Sequence, residues 1–238
     1  MSDTGAWDLQ RPVPRELIVG LDLGQSRDYT AIVVAERHAE RESATYELVH
    51  IGRTRGELYP RIVEAVRQRI AELKVVGVHP RFPRDPRMQP RLSLVLDYTG
   101  PGRPVADMFA EADIGCPITM VTITGGDRVT RGEGGDYRVP KRNLAAVVQT
   151  LLHSGRLGIV KGEQLTSTLS DELNNFKVRI SLSGHDSFGA GSDWRAGHND
   201  DIVLAAALAL WFGEYGQSDQ WSDIAAEGLD LGAFFASR

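Results

Sequence analysis

An acid stands inside the apolar run LIVGLDL, residues 17–23, and that placement constrains the chain more than any other feature. Buried acids are rare unless they are paired or bind a metal. Strand periodicity puts Ile18, Gly20 and Asp22 on one face, and Leu17, Val19, Leu21 and Leu23 on the other. Gly20 is expected to leave open space beside the carboxylate. Gly24 ends the strand, a second acid, Asp28, follows in the turn, and AIVVAE begins another strand. The pattern fits a hairpin with one partly exposed Asp at its end. It equally fits a carboxylate planted on a rigid strand to hold a cation or a phosphate.

The rest of the chain supplies the frame. Residues 17–23, 30–36 and 46–52 read as three successive strands, a meander. Residues 57–73 carry apolar positions at Ile62, Val63, Val66, Ile70 and Leu73, which is helical spacing, with Pro60 in the first turn. The loop HPRFPRDPRMQPR has four prolines and predicts no regular structure. LSLVLD (92–97) is a continuous apolar run ending in an acid, as in a buried parallel strand. A short helix over 105–112 and a strand over 117–124 follow. The Gly-rich, polar stretch 125–138 predicts a protruding hairpin or loop. A helix is expected over 141–153, closed by Gly155, and another over 162–175. FKVRISLS alternates and predicts a strand. DDIVLAAALALWF (200–212) is apolar nearly all round and predicts a buried helix. This order is α/β: a mixed central sheet, meander first and parallel strands after, flanked by helices. The expected division is a flexible N-terminal arm (1–16), one domain (17–213) and an acidic C-terminal tail (214–238).

Two later stretches place further acids at element ends. Asp97 closes a strand, and sites in α/β sheets gather beyond the carboxyl ends of strands. An Asx-turn is the plainer explanation of that Asp. In GHNDDIVLAAALAL, Asp200 and Asp201 open the most apolar helix of the chain. Capping by Asn199 or Asp200 explains one acid. It does not explain both, nor His198 three residues before Asp201. Three apolar elements therefore each present an acid at one end. Clustered carboxylates ionise cheaply only around a cation. Hard oxygen donors without Cys suit Mg²⁺ or Mn²⁺. Two such ions about 4 Å apart clamp the attacking and leaving oxygens of a phosphodiester.

Net charge is −5, which taken alone argues against a nucleic-acid partner. The distribution changes that reading: residues 53–103 hold eleven Arg or Lys against five acids, and residues 200–238 hold seven acids against one Arg. An acidic protein can thus carry a basic face. No run of 18 apolar residues exists, so no membrane span is expected. The single Cys116 excludes an internal disulfide and a multi-Cys zinc site, and points to a cytoplasmic compartment.

LIVGLDLGQSRDYTAIVV, LVLDYTGPGRPVADMF, YRVPKRNLAAVVQTLLHSGRL and GHNDDIVLAAALALW together resemble the nuclease domain of the large terminase subunit of tailed phages. The resemblance runs from about residue 17 to 213. It implies a ribonuclease H-like fold related to Holliday-junction resolvases, and an endonuclease that cuts concatemeric viral DNA during packaging. Asp22, Asp97 and Asp201 match the family's catalytic, metal-binding acids, for two Mg²⁺ or Mn²⁺ ions. Asp28 and Asp200 match auxiliary metal acids. His198 is similar in spacing to the His-x-x-Asp of resolvases. Arg128, Arg131, Arg138, Lys141 and Arg142 lie where double-stranded DNA is expected. The implied partners beyond DNA are a separate terminase motor, a small terminase subunit or a portal, in the host cytoplasm if the chain is phage-encoded. One departure stands out: no G-x-x-x-x-G-K-[ST] motif is present, so an ATPase motor is not expected within these residues.

Two other readings compete. GLDLGQS and LDYTGPG loosely resemble the phosphate loops of actin-like ATPases and sugar kinases, which would make the chain an ATP-binding phosphotransferase. A catalytically inactive DNA-binding or docking module is the third.

Overall fold

The computed structural model describes residues 15–24, 28–39, 43–77, 89–132, 135–182 and 200–216. Its centre is β1 (Glu16–Asp22), bonded on both edges. On one side it pairs antiparallel with β2 (Tyr29–Ala39), which pairs antiparallel with β3 (Ala44–Arg55). On the other it pairs in parallel with β4 (Arg91–Asp97), followed in parallel by β5 (Ile118–Thr124) and β7 (Tyr137–Pro140). A two-residue strand, β6 (Thr130–Arg131), closes one edge against β7, and β8 (Leu157–Ile159) closes the other against β3. The sheet order is β6-β7-β5-β4-β1-β2-β3-β8. The expected mixed sheet, meander and then parallel strands, is what the chain forms.

Helices cover both faces. Helices α1 (Tyr59–Val76) and α2 (Arg103–Glu111) bury Ile62, Val66, Ile70, Val105 and Phe109 against Leu17, Val19 and Leu21 of β1. Helices α3 (Lys141–His153), α4 (Thr166–Leu182) and α5 (Asp201–Trp211) pack on the Ile18 face. Every residue of α5 from Ile202 to Trp211 is buried, which is why that segment carries no polar face. Gly155, at φ +67°, sits just beyond α3, as its sequence position predicts.

Two expectations need correction. FKVRISLS is not a strand: its first seven residues continue α4 to Leu182. Helical hydrogen bonds close locally, and Phe176 continues the helical apolar spacing of Leu165, Leu169 and Leu173 into the core. The Gly-rich stretch forms a hairpin as expected, β6 antiparallel to β7, and Tyr137–Pro140 also enters the main sheet beside β5. Finally, Gly20 does not leave open space. A Cβ built there would stand 1.9 Å from the Ala205 carbonyl oxygen and 3.1 Å from the Ala209 nitrogen. The α5 backbone lies directly on β1 at this point, closer than any side chain permits.

Candidate active site

That close approach builds the site. Asp22 is two residues beyond Gly20 on the same face of β1, and Asp201 is one turn before Ala205 in α5. Parallel register sets Asp22 directly beside Asp97 at the carboxyl ends of β1 and β4. The same cross-sheet row continues through Ala31 of β2 to Arg53 of β3. Paired residues share a face, so Arg53 lies on the acid side, two strands from Asp22, about 10 Å at the usual strand spacing.

The electrostatics follow from this crowding. Burial pushes the Asp22 carboxyl well above the usual carboxylate range, and Asp97, Asp201 and Asp200 push it further; Lys141 alone opposes them. Burial also raises Asp201, against the pull of Arg53. Asp201 Oδ2 lies 2.5 Å from Arg53 Nη2, and Asp200 Oδ2 lies 2.7 Å from Lys141 Nζ. Asp97 Oδ1 accepts the Thr99 N–H at 2.8 Å and the Thr99 hydroxyl, while Thr99 Oγ1 accepts the Ile123 N–H at 2.7 Å. Asp97 therefore does make the Asx-type turn, and the turn holds its carboxylate at the end of the strand.

Asp200 is the N-cap residue of α5 but makes no capping side-chain bond. Glu172 of α4 takes that role from outside the helix. Its Oε2 accepts the N–H groups of Ile202 and Val203 at 3.0 and 3.1 Å. Burial lifts the Glu172 carboxyl to about 7, against its bonds to Val203 and Ile202 and the charge of Arg53. Neither Glu172 nor Arg53 was expected from sequence. A signal for Glu172 existed: it interrupts the helical apolar positions Leu165, Leu169, Leu173 and Phe176. Arg53 carried no such signal, because only the register of two strand pairs aligns it with Asp22.

The remaining expected residues fall as follows. Asp28 is exposed at the start of β2 and is not among the charges acting on Asp22. His198 lies outside the described residues, as does most of the Pro/Arg-rich loop. Arg128, Arg131 and Arg138 are exposed on and before the β6–β7 hairpin, with Arg131 over the Tyr137 ring at 5.4 Å. Arg142 pairs with Asp127 at 2.7 Å. Lys141, held to Asp200, stands nearest the acids.

The donor set fits divalent cations: hard carboxylate oxygens at the ends of rigid elements, crowded enough that one of them resists ionising. Among the described residues, no three of these side chains close into a ready-made metal cage. The physical reason lies in their partners: Asp201 is turned to Arg53, Asp200 to Lys141 and Asp97 to Thr99.

No family model matches the sequence, and no curated protein matches it. Solved structures do. The human cytomegalovirus terminase nuclease domain, in a manganese-soaked, inhibitor-bound structure, aligns with 90% of this chain and 86% of its own at 13% identity and a TM-score of 0.50. The nuclease domain of the P22 large terminase aligns with 90% of this chain and 88% of its own, at 14% identity and a TM-score of 0.43. A Thermus thermophilus RuvC structure aligns with 84% and 95%, at 14% identity and a TM-score of 0.36. The fold is ribonuclease H-like.

Proposed function

We propose that the protein is a metal-dependent DNA endonuclease of the terminase-nuclease kind, with Asp22, Asp97 and Asp201 as its catalytic carboxylates. The observation that carries this reading is the convergence of these acids, from two adjacent strand ends and a helix N-terminus, on a fold shared with a terminase nuclease domain. Asp22, Asp97 and Asp201 would hold the ions, with Asp200 beside them and Asp28 and His198 as auxiliary groups. Divalent ions bound there supply an activated water and stabilise the departing 3′-oxygen of a phosphodiester. The chain's own contribution is positional. Strand register fixes the spacing of Asp22 and Asp97, and the packing of α5 on Gly20 fixes Asp201 against them. The exposed arginines of the hairpin supply phosphate contacts, which give affinity without sequence information. In this reading double-stranded DNA is the substrate, cut during genome packaging, and the motor and portal are separate partners. Among the described residues no helix is long and apolar enough to cross a membrane.

Incubation with supercoiled plasmid in Mg²⁺ or Mn²⁺, resolved by gel, tests the reading. Nicked and linear products are expected, lost with EDTA and with Asp97→Asn. Intact plasmid in both metals, with folded protein, would overturn it.

A further inference from the structure

Arg53 is the most tightly seated cation at the site. Its guanidinium carbon lies 3.6 Å from the Tyr29 ring centroid, and Nη2 lies 2.5 Å from Asp201 Oδ2 and 3.6 Å from Glu172 Oε1. Glu172 is fixed in turn, because Oε2 is committed to the first turn of α5. Its Oε1 is buried and makes no hydrogen bond among the described residues. One guanidinium therefore stands between two carboxylates, bonded to the first and just short of bonding the second.

We propose that Arg53 is a resident counter-cation of Asp201 that a divalent ion must displace, and that Glu172 is the second seat onto which it moves. This rests on the metal-dependent reading of the site given above. An oxygen engaged by a guanidinium is closed to a metal, and the Arg53 charge opposes any cation brought to Asp201. The displacement required is small. A shift of about 1 Å turns the 3.6 Å contact with Glu172 into a charge-assisted hydrogen bond of ordinary length. The forked donors of arginine suit a group that exchanges one carboxylate for another while its plane stays on an aromatic ring. Glu172 thus acts as a positioning residue twice over: it pins the helix that carries Asp201, and it receives the cation that Asp201 gives up.

The two residues should move metal affinity in opposite directions, which a merely structural role for either would not produce. Calorimetric titration of metal-free protein with MnCl₂ at pH 8, where Glu172 carries its charge, reads this directly, with thermal melting to establish that each variant is folded. Arg53→Gln should bind Mn²⁺ about tenfold more tightly than wild type. Glu172→Gln keeps an acceptor for the α5 N–H groups but removes the charged seat, and should bind several-fold more weakly. In the double variant the Glu172→Gln effect should vanish, because its agent is gone. Arg53→Met, an unbranched side chain without the charge, replaces Arg53→Gln if the latter does not fold. Unchanged or weaker Mn²⁺ binding by a folded Arg53 variant overturns the proposal. So does a Glu172→Gln effect of equal size with and without Arg53. Wild type that takes up no Mn²⁺ overturns this proposal and the nuclease reading together. Wild-type binding that Asp97→Asn abolishes, with Arg53 variants unchanged, overturns this proposal alone.

Discussion

Gly20→Ala adds one methyl group where β1 and α5 touch. The new Cβ would lie 1.9 Å from the Ala205 carbonyl oxygen and 2.9 Å from its carbon, where ordinary contact begins near 3.4 Å. The atoms it meets are backbone, so no side chain can rotate away. Helix α5 must retreat by about 1.5 Å, and all ten residues from Ile202 to Trp211 are buried on it. A radial gap of about 0.5–1 Å already forfeits a quarter to a half of each dispersion contact. Overpacking in a dense core costs about 1–3 kcal/mol, and a clash between two backbones belongs at the upper end. A loss of about 3 kcal/mol leaves most domains folded and lowers Tm by roughly 6–12 °C at this chain length. Catalysis should suffer more than stability, since Asp201 rides on α5 and a misplacement of about 1 Å at a reacting group costs on the order of 100-fold. Urea unfolding followed by circular dichroism, with plasmid nicking at a temperature where the variant is folded, measures both. Gly158→Ala is the control: its Cβ would meet only the Tyr46 carbonyl oxygen, at 3.8 Å, and stability should stay within about 0.5 kcal/mol. If Gly20→Ala matches that control in stability and nicks plasmid at the wild-type rate, α5 does not rest on β1 as described.

Asp22→Asn, Asp97→Asn and Asp201→Asn should each abolish plasmid cleavage in Mn²⁺, and Asp28→Asn should be milder. Metal-free Asp22→Asn should be as stable as wild type or more so, because it removes a carboxylate that burial and three acids oppose; unfolding of this variant in urea below the wild-type midpoint would count against the site. Stability of the metal-free protein should also fall as pH rises from about 4.5 to 7. The folded state holds the Glu172 proton up to about 7 while the unfolded state releases it near 4.5. The extra proton on the folded state favours it below that window, and the advantage disappears above it; the gap between urea midpoints at pH 5 and pH 8 should narrow in Glu172→Gln, with Asp22 and Asp201 accounting for what remains. Replacing Arg128, Arg131 and Arg138 together by Ala should reduce the salt slope of log K for duplex DNA in Ca²⁺ by about 0.9 for each phosphate no longer neutralised. An unchanged slope would move the DNA path away from the hairpin. Lys141 is left out of that set because its bond to Asp200 mixes structure with binding.

The acids were legible in the sequence and their companions were not, for a physical reason. Asp22 and Asp97 announce themselves because each ends an apolar strand, where a charge is out of place locally. Asp201 does so because it opens a helix with no other polar residue before the π-helical turn at Phe212–Gly216. Local pattern also located most of the frame, since burial on one face imposes a period that the chain cannot hide. What failed depended on which elements meet. The alternation in FKVRISLS is compatible with a strand, and the burial of Phe176 in one core with Leu169 and α5 goes with the helix instead. Tyr137–Pro140 and Leu157–Ile159 are too short for a period to show, and their pairing with β5 and β3 makes them strands.

Gly20 shows most plainly how a correct residue can carry a mistaken inference. Its place beside the acid was visible, yet a missing side chain reads as space only when nothing else fills it. Here backbone fills it, and the site depends on that contact. Were the cleft at Gly20 open, Asp201 would stand off by the width of a side chain, and Asp22 would face Asp97 without the helix acids. The same contact explains why two cations are drawn in. Asp22 feels the charges of three further acids, and Arg53 and Lys141 are the basic groups within bonding reach of the helix acids among the described residues. On the metal-dependent reading proposed above, a chain that gathers its acids before any metal arrives holds them with its own cations, and then has to let them go.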